Sequence, residues 1–402
     1  MKLIAGSLLL IATGLVCTLS VNAQWTIENS NTNTKLNSIY LLDENSAWIV
    51  GNNGTIIHKE QEKWIASPKV TEENLYSVCF SDKNNGWAVG SKGTILRYDG
   101  QGWTVTPKPT DKNLYSVSLG SNGRAIAVGE MGTILVYDGK KWENLDLLSF
   151  AVYTSAAAYE NLVLIGGGHE YMSIPVMEVT AMAGKRVVPA FDPGYIEIKS
   201  LFILNRKNIW AAGRPGAIFH YDGTEWNRLS QFTNLPSLNS IFFADANSGI
   251  AVGYYGTILT YSEGAEWHKE ESPVKVNLNG AAGWGDTWYA VGNNGTIISL
   301  RRQAEPVNNP VKPNRPAIKI ESYPNPPNEQ LNIVIPAEDG FVADILTITG
   351  SNGRVIFKTE LKSLTGGEIY TLDTSGIGSG LYLIQITSSS GTRAAGRFIV
   401  TR

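Results

Sequence analysis

At 402 residues the chain is too long for one ordinary core and long enough for two domains. A net charge of −3, with 17% of residues charged, provides no basic field for nucleic acid or an anionic membrane. Abundant glycine (41) and tryptophan (11), with Val, Ile, Thr and Tyr in short runs between turn residues, reads as all-β and argues against a helical protein.

The N-terminus carries Lys2, an apolar run from Leu3 to Val16, then Val21-Asn22-Ala23 ahead of Gln24. That order of charge, apolar run and small residues is a secretory signal peptide over 1–23, cut between Ala23 and Gln24. Leu15 and Val16 before Cys17 do not suit the small residues a lipoprotein signal needs. The run is too short to span a bilayer comfortably, and no later segment could, so no transmembrane segment is expected after cleavage. Cleavage leaves Cys79 alone, which excludes an intramolecular disulfide. Cys79 aligns in the repeats below with Tyr40, Ser118, Phe202 and Phe242, a packing position and not a reactive one.

Internal repetition sets the architecture. Ala47-Trp48-Ile49-Val50-Gly51-Asn52-Asn53-Gly54-Thr55-Ile56 recurs 39 residues later from Gly86 to Ile95, and after another 39 from Ala125 to Ile134. Further copies cover 210–218, 250–258 and 289–297. From Gly132 to Gly216 is 84 residues, about two periods, which implies a degenerate fourth copy over about 151–195 with an insertion after Gly167. Each copy supplies four strands. The innermost is typified by Leu75-Tyr76-Ser77-Val78-Cys79-Phe80, and paired glycines flank a two-residue hairpin tip between the second and third. Trp64, Trp103, Trp142, Trp226 and Trp267 mark fourth strands, whereas the last copy lacks one. Trp25 stands 39 residues before Trp64, so the N-terminal strand is expected to complete the seventh blade and close a ring over 24–303.

The Gly-Trp-Ala-Val-Gly-x-x-Gly-Thr-Ile pattern (86–95) resembles the propellers of the photosystem II stability/assembly factor family and, more distantly, the sialidase-type Asp-box (BNR) repeats. The resemblance spans roughly 24–303 and implies a fold, not a function.

A Pro/Asn-rich linker over 304–317 separates the repeats from a second β region over 318–402. Tyr323-Pro324-Asn325-Pro326, the turn at 350–353, Gly380-Leu381-Tyr382 and Arg397 near the end come in an order that resembles the C-terminal sorting domain of type IX secretion substrates. That family implies a small Ig-like β-sandwich, a bacterium of the Bacteroidota, passage through the periplasm to the medium or outer-membrane surface, and the secretion machinery as partner. Arg397 stands where the family typically has Lys, which keeps the charge. The other reading of the tail is a terminal sandwich binding carbohydrate or a partner. The fold expected for the whole chain is therefore all-β, a seven-bladed β-propeller followed by a small Ig-like β-sandwich.

No catalytic, cofactor or metal constellation emerges. His58 and His220 share one strand position with Arg97, Val136, Thr260 and Ser299 and read as solvated; His268 lies among charges. His169-Glu170 breaks the pattern but has no second ligand at metal spacing. A sialidase-like hydrolase or lyase would need an arginine cluster, a Tyr nucleophile and acids, and Arg97, Arg124, Arg206, Arg214 and Arg228 are scattered. The aspartates of the Tyr-Asp-Gly turns at 98–100, 137–139 and 221–223 read as turn formers. Trp48, Trp87 and Trp210 read as packing, with Trp284 and Trp288 outside the common positions. The hairpin tips vary on a fixed frame, which suits recognition. Asn52, Asn53, Lys92, Glu130, Arg214, Tyr254, Tyr255, Asn293 and Asn294 form the expected ligand rim. The reading is a secreted or surface propeller that binds an extracellular protein or glycan without catalysis or cofactor; the alternative is a carbohydrate-active propeller hydrolase or lyase.

Overall fold

The computed structural model describes residues 24–301 and 318–400, apart from short stretches at 61, 121–122, 146–148, 170–171, 181–185, 230–231, 233, 263–265, 286, 325–328, 338–341, 351–354, 375–376, 378–379 and 389–392. The expected signal peptide and linker, with Asn325 and Pro326, therefore lie outside the described residues, of which Gln24 is the first.

Seven four-stranded antiparallel sheets are present among the described residues of 24–301. The first strand of each contacts the first strand of the next, and that of the seventh sheet contacts Leu36–Asp43 of the first, so the sheets form a closed ring of blades. The seventh sheet holds Leu278–Trp284, Thr287–Gly292, Ile297–Arg301 and, as its outer strand, the N-terminal Thr26–Glu28. Ile27 pairs with Ile298 there, and Trp25 is buried beside Trp288. Closure leaves only short edges exposed.

The core is a succession of seams, not a single centre. Trp48 of blade 1 packs with Phe80, Leu96 and Trp103 of blade 2. Trp87 does the same with Trp142 of blade 3, and Trp210 with Phe243 and Trp267 of blade 6. These tryptophans are buried packing groups, as is Trp288, while Trp284 is partly buried at the seam of blades 7 and 1. Cys79 is buried in the blade 2–3 seam, where desolvation pushes its thiol pKa far up, and it serves as a packing residue.

A second device joins neighbours at the inner strands. The Ser77 hydroxyl accepts the Val117 N–H at 3.1 Å, Ser116 accepts Ala156 at 3.0 Å, Ser155 accepts Leu201 at 2.9 Å, Ser200 accepts Ile241 at 3.1 Å and Ser240 accepts Ala281 at 3.1 Å. Blade 7 has Gly280 instead; a Cβ there would lie 3.1 Å from the Ser38 Cα of blade 1.

The fourth blade departs from the sequence reading. The stretch expected as an insertion forms the sheet's own third and fourth strands, Met172–Thr180 and Arg186–Phe191. Its third strand is longer than the four or five residues seen elsewhere, so the Gly-Thr-Ile signature has no place. His169 ends the second strand and pairs through its backbone with Met172; Glu170 lies outside the described residues.

Residues 318–400 form a separate sandwich. Five strands (Ile318–Lys319, Arg393–Val400, Gly380–Ser388, Ala343–Gly350, Val355–Leu364) face three (Glu321–Tyr323, Gln330–Val334, Ile369–Asp373) over a core that includes Leu331, Leu346, Ile384 and Phe398.

Candidate binding surface at the channel mouth

The tips of blades 1, 2, 3, 6 and 7 are built the same way. The carbonyl of the residue that leads into an inner strand accepts the N–H of the first tip residue, as Lys35 does for Asn52 at 2.9 Å and Asn277 for Asn293 at 3.0 Å. This stitches the connection between consecutive blades to the hairpin tip on one rim. The closing glycine has no room for a side chain: at Gly93 (φ +69°) a Cβ would meet the Thr110 carbonyl oxygen at 1.8 Å. The second tip residue takes positive φ at Asn53, Lys92, Met131, Tyr255 and Asn294, between 52° and 58°.

The two tip positions consequently face different ways. Arg214, Tyr254 and Asn293, all first positions, line a cavity of about 470 Å³ at the channel mouth, to which all seven blades contribute. Asn52 reaches it through Asn37, whose Nδ2 donates to Asn52 Oδ1 at 2.9 Å. Glu130 reaches it through Tyr115, whose hydroxyl donates to Glu130 Oε1 at 2.6 Å. Asn53, Lys92, Tyr255 and Asn294 do not line it; Tyr255 is 74% exposed, and Lys92 pairs with Glu73 at 2.9 Å. A larger depression of about 710 Å³ beside Glu28, Glu62 and Trp64 draws only on the outer strands of blades 7 and 1.

Most mouth residues escaped the sequence reading because they lie on the inner strand and not on the tip. The residue just before the serine that joins neighbouring blades (or its Gly280 counterpart) faces the channel in every blade: Asn37, Tyr76, Tyr115, Thr154, Lys199, Asn239 and Asn279. The signal was available, since this position varies between a near-constant apolar residue and a near-constant serine. Three of the asparagines are held by neighbouring blades: Asn37 donates to Leu75 O at 2.7 Å, Asn239 to Leu278 O at 2.8 Å and Asn279 to Leu36 O at 2.7 Å.

Charge is unevenly placed. Lys35, Lys199 and Arg214 line the mouth against a single lining carboxylate, Glu197, which Lys199 holds at 2.5 Å. Lys35 keeps exposed area but is crowded by protein; that desolvation and repulsion from Lys199 both lower its pKa. Across the mouth the Tyr76 and Tyr115 rings stand 5.4 Å apart. Burial alone would raise the Glu130 pKa, but hydrogen bonds from Tyr115 and Asn113 more than reverse it, so this side keeps a carboxylate.

The histidines sit elsewhere. His58 and His220 are less open than expected, stacked on Trp48 and Trp210 at 5.0 and 4.0 Å on the outer part of their sheets. His268 is exposed. The Tyr-Asp-Gly aspartates cap turns: Asp99 accepts Gln101 and Gly102 N–H, Asp138 accepts Lys140 and Lys141, and Asp222 accepts Thr224 and Glu225. Among the described residues no group of three His, Cys, Asp or Glu is arranged to hold a metal ion.

In the C-terminal sandwich, Tyr323-Pro324 is a cis peptide, Tyr382 stacks on Phe398 at 5.3 Å, and Arg397 is exposed opposite Leu383. Gly380 and Leu381 open the strand that carries Tyr382. Residues 321–401 match the secretion system C-terminal sorting domain family. The chain carries a secretion sorting domain. The sorting domain makes this a secreted or cell-surface protein with the secretion machinery as a partner, and no helix among the described residues is long and apolar enough to cross a membrane. Residues 15–99 match the photosynthesis system II assembly factor YCF48 family, and the fold agrees. YCF48 bound to a D1 peptide superposes with a TM-score of 0.58 at 19% identity, covering 71% of this chain and 99% of that one. Virginiamycin B lyase from Staphylococcus aureus gives 0.60 at 15% identity, covering 70% and 100%. PorZ, an essential surface component of the type IX secretion system of Porphyromonas gingivalis, gives 0.52 at 12% identity and covers 90% of this chain but 58% of its own. No curated protein matches the chain by sequence. At such identities these structures share a fold that serves both binding and catalysis.

Proposed function

We propose that the propeller is a non-catalytic recognition module, exported through the periplasm by type IX secretion, that binds an extracellular protein or glycan at its tip rim. The observation that carries this reading is the mouth itself. A rigid ring presents a different side chain from each blade to one cavity: Lys199 and Arg214 from blade 5, Tyr254 from blade 6, Asn279 and Asn293 from blade 7, Asn37 from blade 1, Tyr76 and Tyr115 from blades 2 and 3. Variable groups on a fixed frame suit recognition. The YCF48 structure with a D1 peptide supports it by analogy of fold, and PorZ supports a place at the cell surface. A sialidase-like hydrolase would need an arginine cluster, a Tyr nucleophile and acids; the mouth lining holds one arginine, Arg214, and one carboxylate, Glu197, already engaged by Lys199.

Two measurements test the reading. Mass spectrometry of medium and cell fractions from the native host is expected to find the full chain outside, beginning at Gln24 and lacking its tail, and a chain without 320–402 held in the periplasm. Unchanged location of the truncated chain would make the tail a working domain. Affinity capture from the host's surroundings is expected to lose its ligand on Tyr254→Ala; retention of that ligand would move the site off the rim.

A further inference from the structure

We infer that the channel mouth recognises an acidic peptide segment, its carboxylates on Lys35, Lys199 and Arg214 and its backbone N–H groups on the asparagines of three adjacent blades. This deepens the recognition reading and rests on it.

The first support is an excess of cations in a protein of net negative charge. Three basic side chains, two from blade 5 and one from blade 1, meet at the mouth with one carboxylate among its lining residues. Lys199 already engages that carboxylate, and Lys35 has no acidic partner among the described residues. Ammonium groups facing each other across a cavity are stabilised by a bound anion, which also removes their mutual repulsion.

The second support is the set of hydrogen-bonding groups the ring leaves open. Asn37, Asn239 and Asn279 each commit Nδ2 to a neighbouring blade, which fixes the amide plane. None of their Oδ1 atoms has a donor among the described residues, so three held acceptors line the side of the mouth formed by the adjacent blades 6, 7 and 1. A peptide offers carboxylates and regularly spaced N–H donors together, and so matches both halves of the lining.

An acidic glycan fits less well. Sugar rings dock on flat, accessible aromatic faces, and the Tyr76 and Tyr115 rings are inclined at 41° with the Tyr115 hydroxyl tied to Glu130. Burial and that hydrogen bond hold the phenol neutral well above its ordinary range, so Tyr115 adds no charge beside the Glu130 carboxylate it covers.

The test uses the purified full chain and four fluorescent probes: heptaglutamate as the free acid, its C-terminal amide, heptaglutamine and heptagalacturonate. Heptaglutamate is expected to bind, more weakly as salt rises, and heptaglutamine at least tenfold less tightly. Free acid tighter than amide assigns the end carboxylate to the cations, and equal affinity assigns side-chain carboxylates; both support the inference. Lys35→Gln with Lys199→Gln should weaken heptaglutamate tenfold or more, about what losing charge-assisted contacts implies. Lys83→Gln, at an exposed cation in the turn between Leu75–Asp82 and Asn85–Gly90 and outside the mouth, should leave it unchanged. Equal binding of heptaglutamine, tighter binding of heptagalacturonate, no binding of heptaglutamate, or indifference to the double substitution overturns the inference. Should the captured ligand of the previous section still depend on Tyr254 in that event, the recognition reading stands and only the acidic peptide falls.

Discussion

The Lys59 ammonium lies 2.6 Å from the Tyr289 hydroxyl, 230 residues away, where the first blade meets the last. Only 1% of the Lys59 side chain is exposed, and its further partner is Glu62 at 3.4 Å. Burial alone would lower the Lys59 pKa; the hydroxyl, Glu62 and Glu28 more than offset it, and the net shift is upward. A raised folded pKa contributes stability that is complete below the unfolded value, about 10.4, and is lost as pH climbs through the folded one. Tyr289→Phe leaves a buried cation without that bond and is expected to cost about 1.5–3 kcal/mol. Urea unfolding at pH 7 measures the loss, and repeating it above pH 10.5 should find the gap from the parent narrower.

Ser155 is almost fully buried and accepts the Leu201 N–H across the blade 4–5 seam. Ser155→Ala strands that donor, for an expected cost of about 1–3 kcal/mol. Hydrogen exchange at Leu201 should speed up by more than exchange at Leu41, whose own seam is untouched. Equal acceleration at both would make the latch a contributor to the whole ring and not to one seam.

Asp222 is held at a pKa of about 2 by the Thr224 hydroxyl and the Thr224 and Glu225 N–H groups. A depressed carboxylate stabilises the fold above its unfolded pKa, about 3.9, and that contribution disappears as pH falls through the folded value. Asp222→Ala should therefore be less stable than the parent at pH 6, with the difference shrinking between pH 4 and 2. A difference that stays constant across this window would place the effect in packing.

Gly93 and Gly139 both adopt positive φ, at +69° and +103°, with opposite surroundings. A Cβ at Gly139 meets nothing within 4 Å, whereas one at Gly93 lands on the Thr110 carbonyl. Gly139→Ala is expected to cost only backbone strain, about 1–3 kcal/mol. Gly93→Ala adds a backbone clash and should lose more, read as a larger fall in melting temperature for the same change in chemistry.

The ring was legible because its punctuation repeats: the Gly51, Gly90 and Gly129 series and the Trp64, Trp103 and Trp142 series recur at constant spacing, and Trp25 marks the missing strand. Blade 4 was legible only as a gap, since its longer third strand abolishes the spacing on which the alignment depends. The tip residues could be named from the repeat, but not the directions they face. Whether a tip residue faces the mouth or solvent depends on the sign of φ at neighbouring positions, which separates Tyr254 from Tyr255. Lys35, Lys199 and Glu197 stayed hidden because the inner strand read as core; ring curvature alone turns one face of it toward an open channel. The stacking of His58 and His220 was likewise invisible, because a tryptophan one strand away is adjacent only after pairing.

The seventh blade takes its outer strand from Thr26–Glu28 and its other three from 278–301. Its hydrogen-bond ladder spans almost the whole propeller, so the sheet is completed only when both extremities of that region are present together. A chain without Thr26–Glu28 keeps an open edge along Ile297–Arg301, and one still missing its last repeat leaves Trp25 and Thr26–Glu28 with no sheet to join. Closure of the ring thus registers that the first and last strands of the propeller have met.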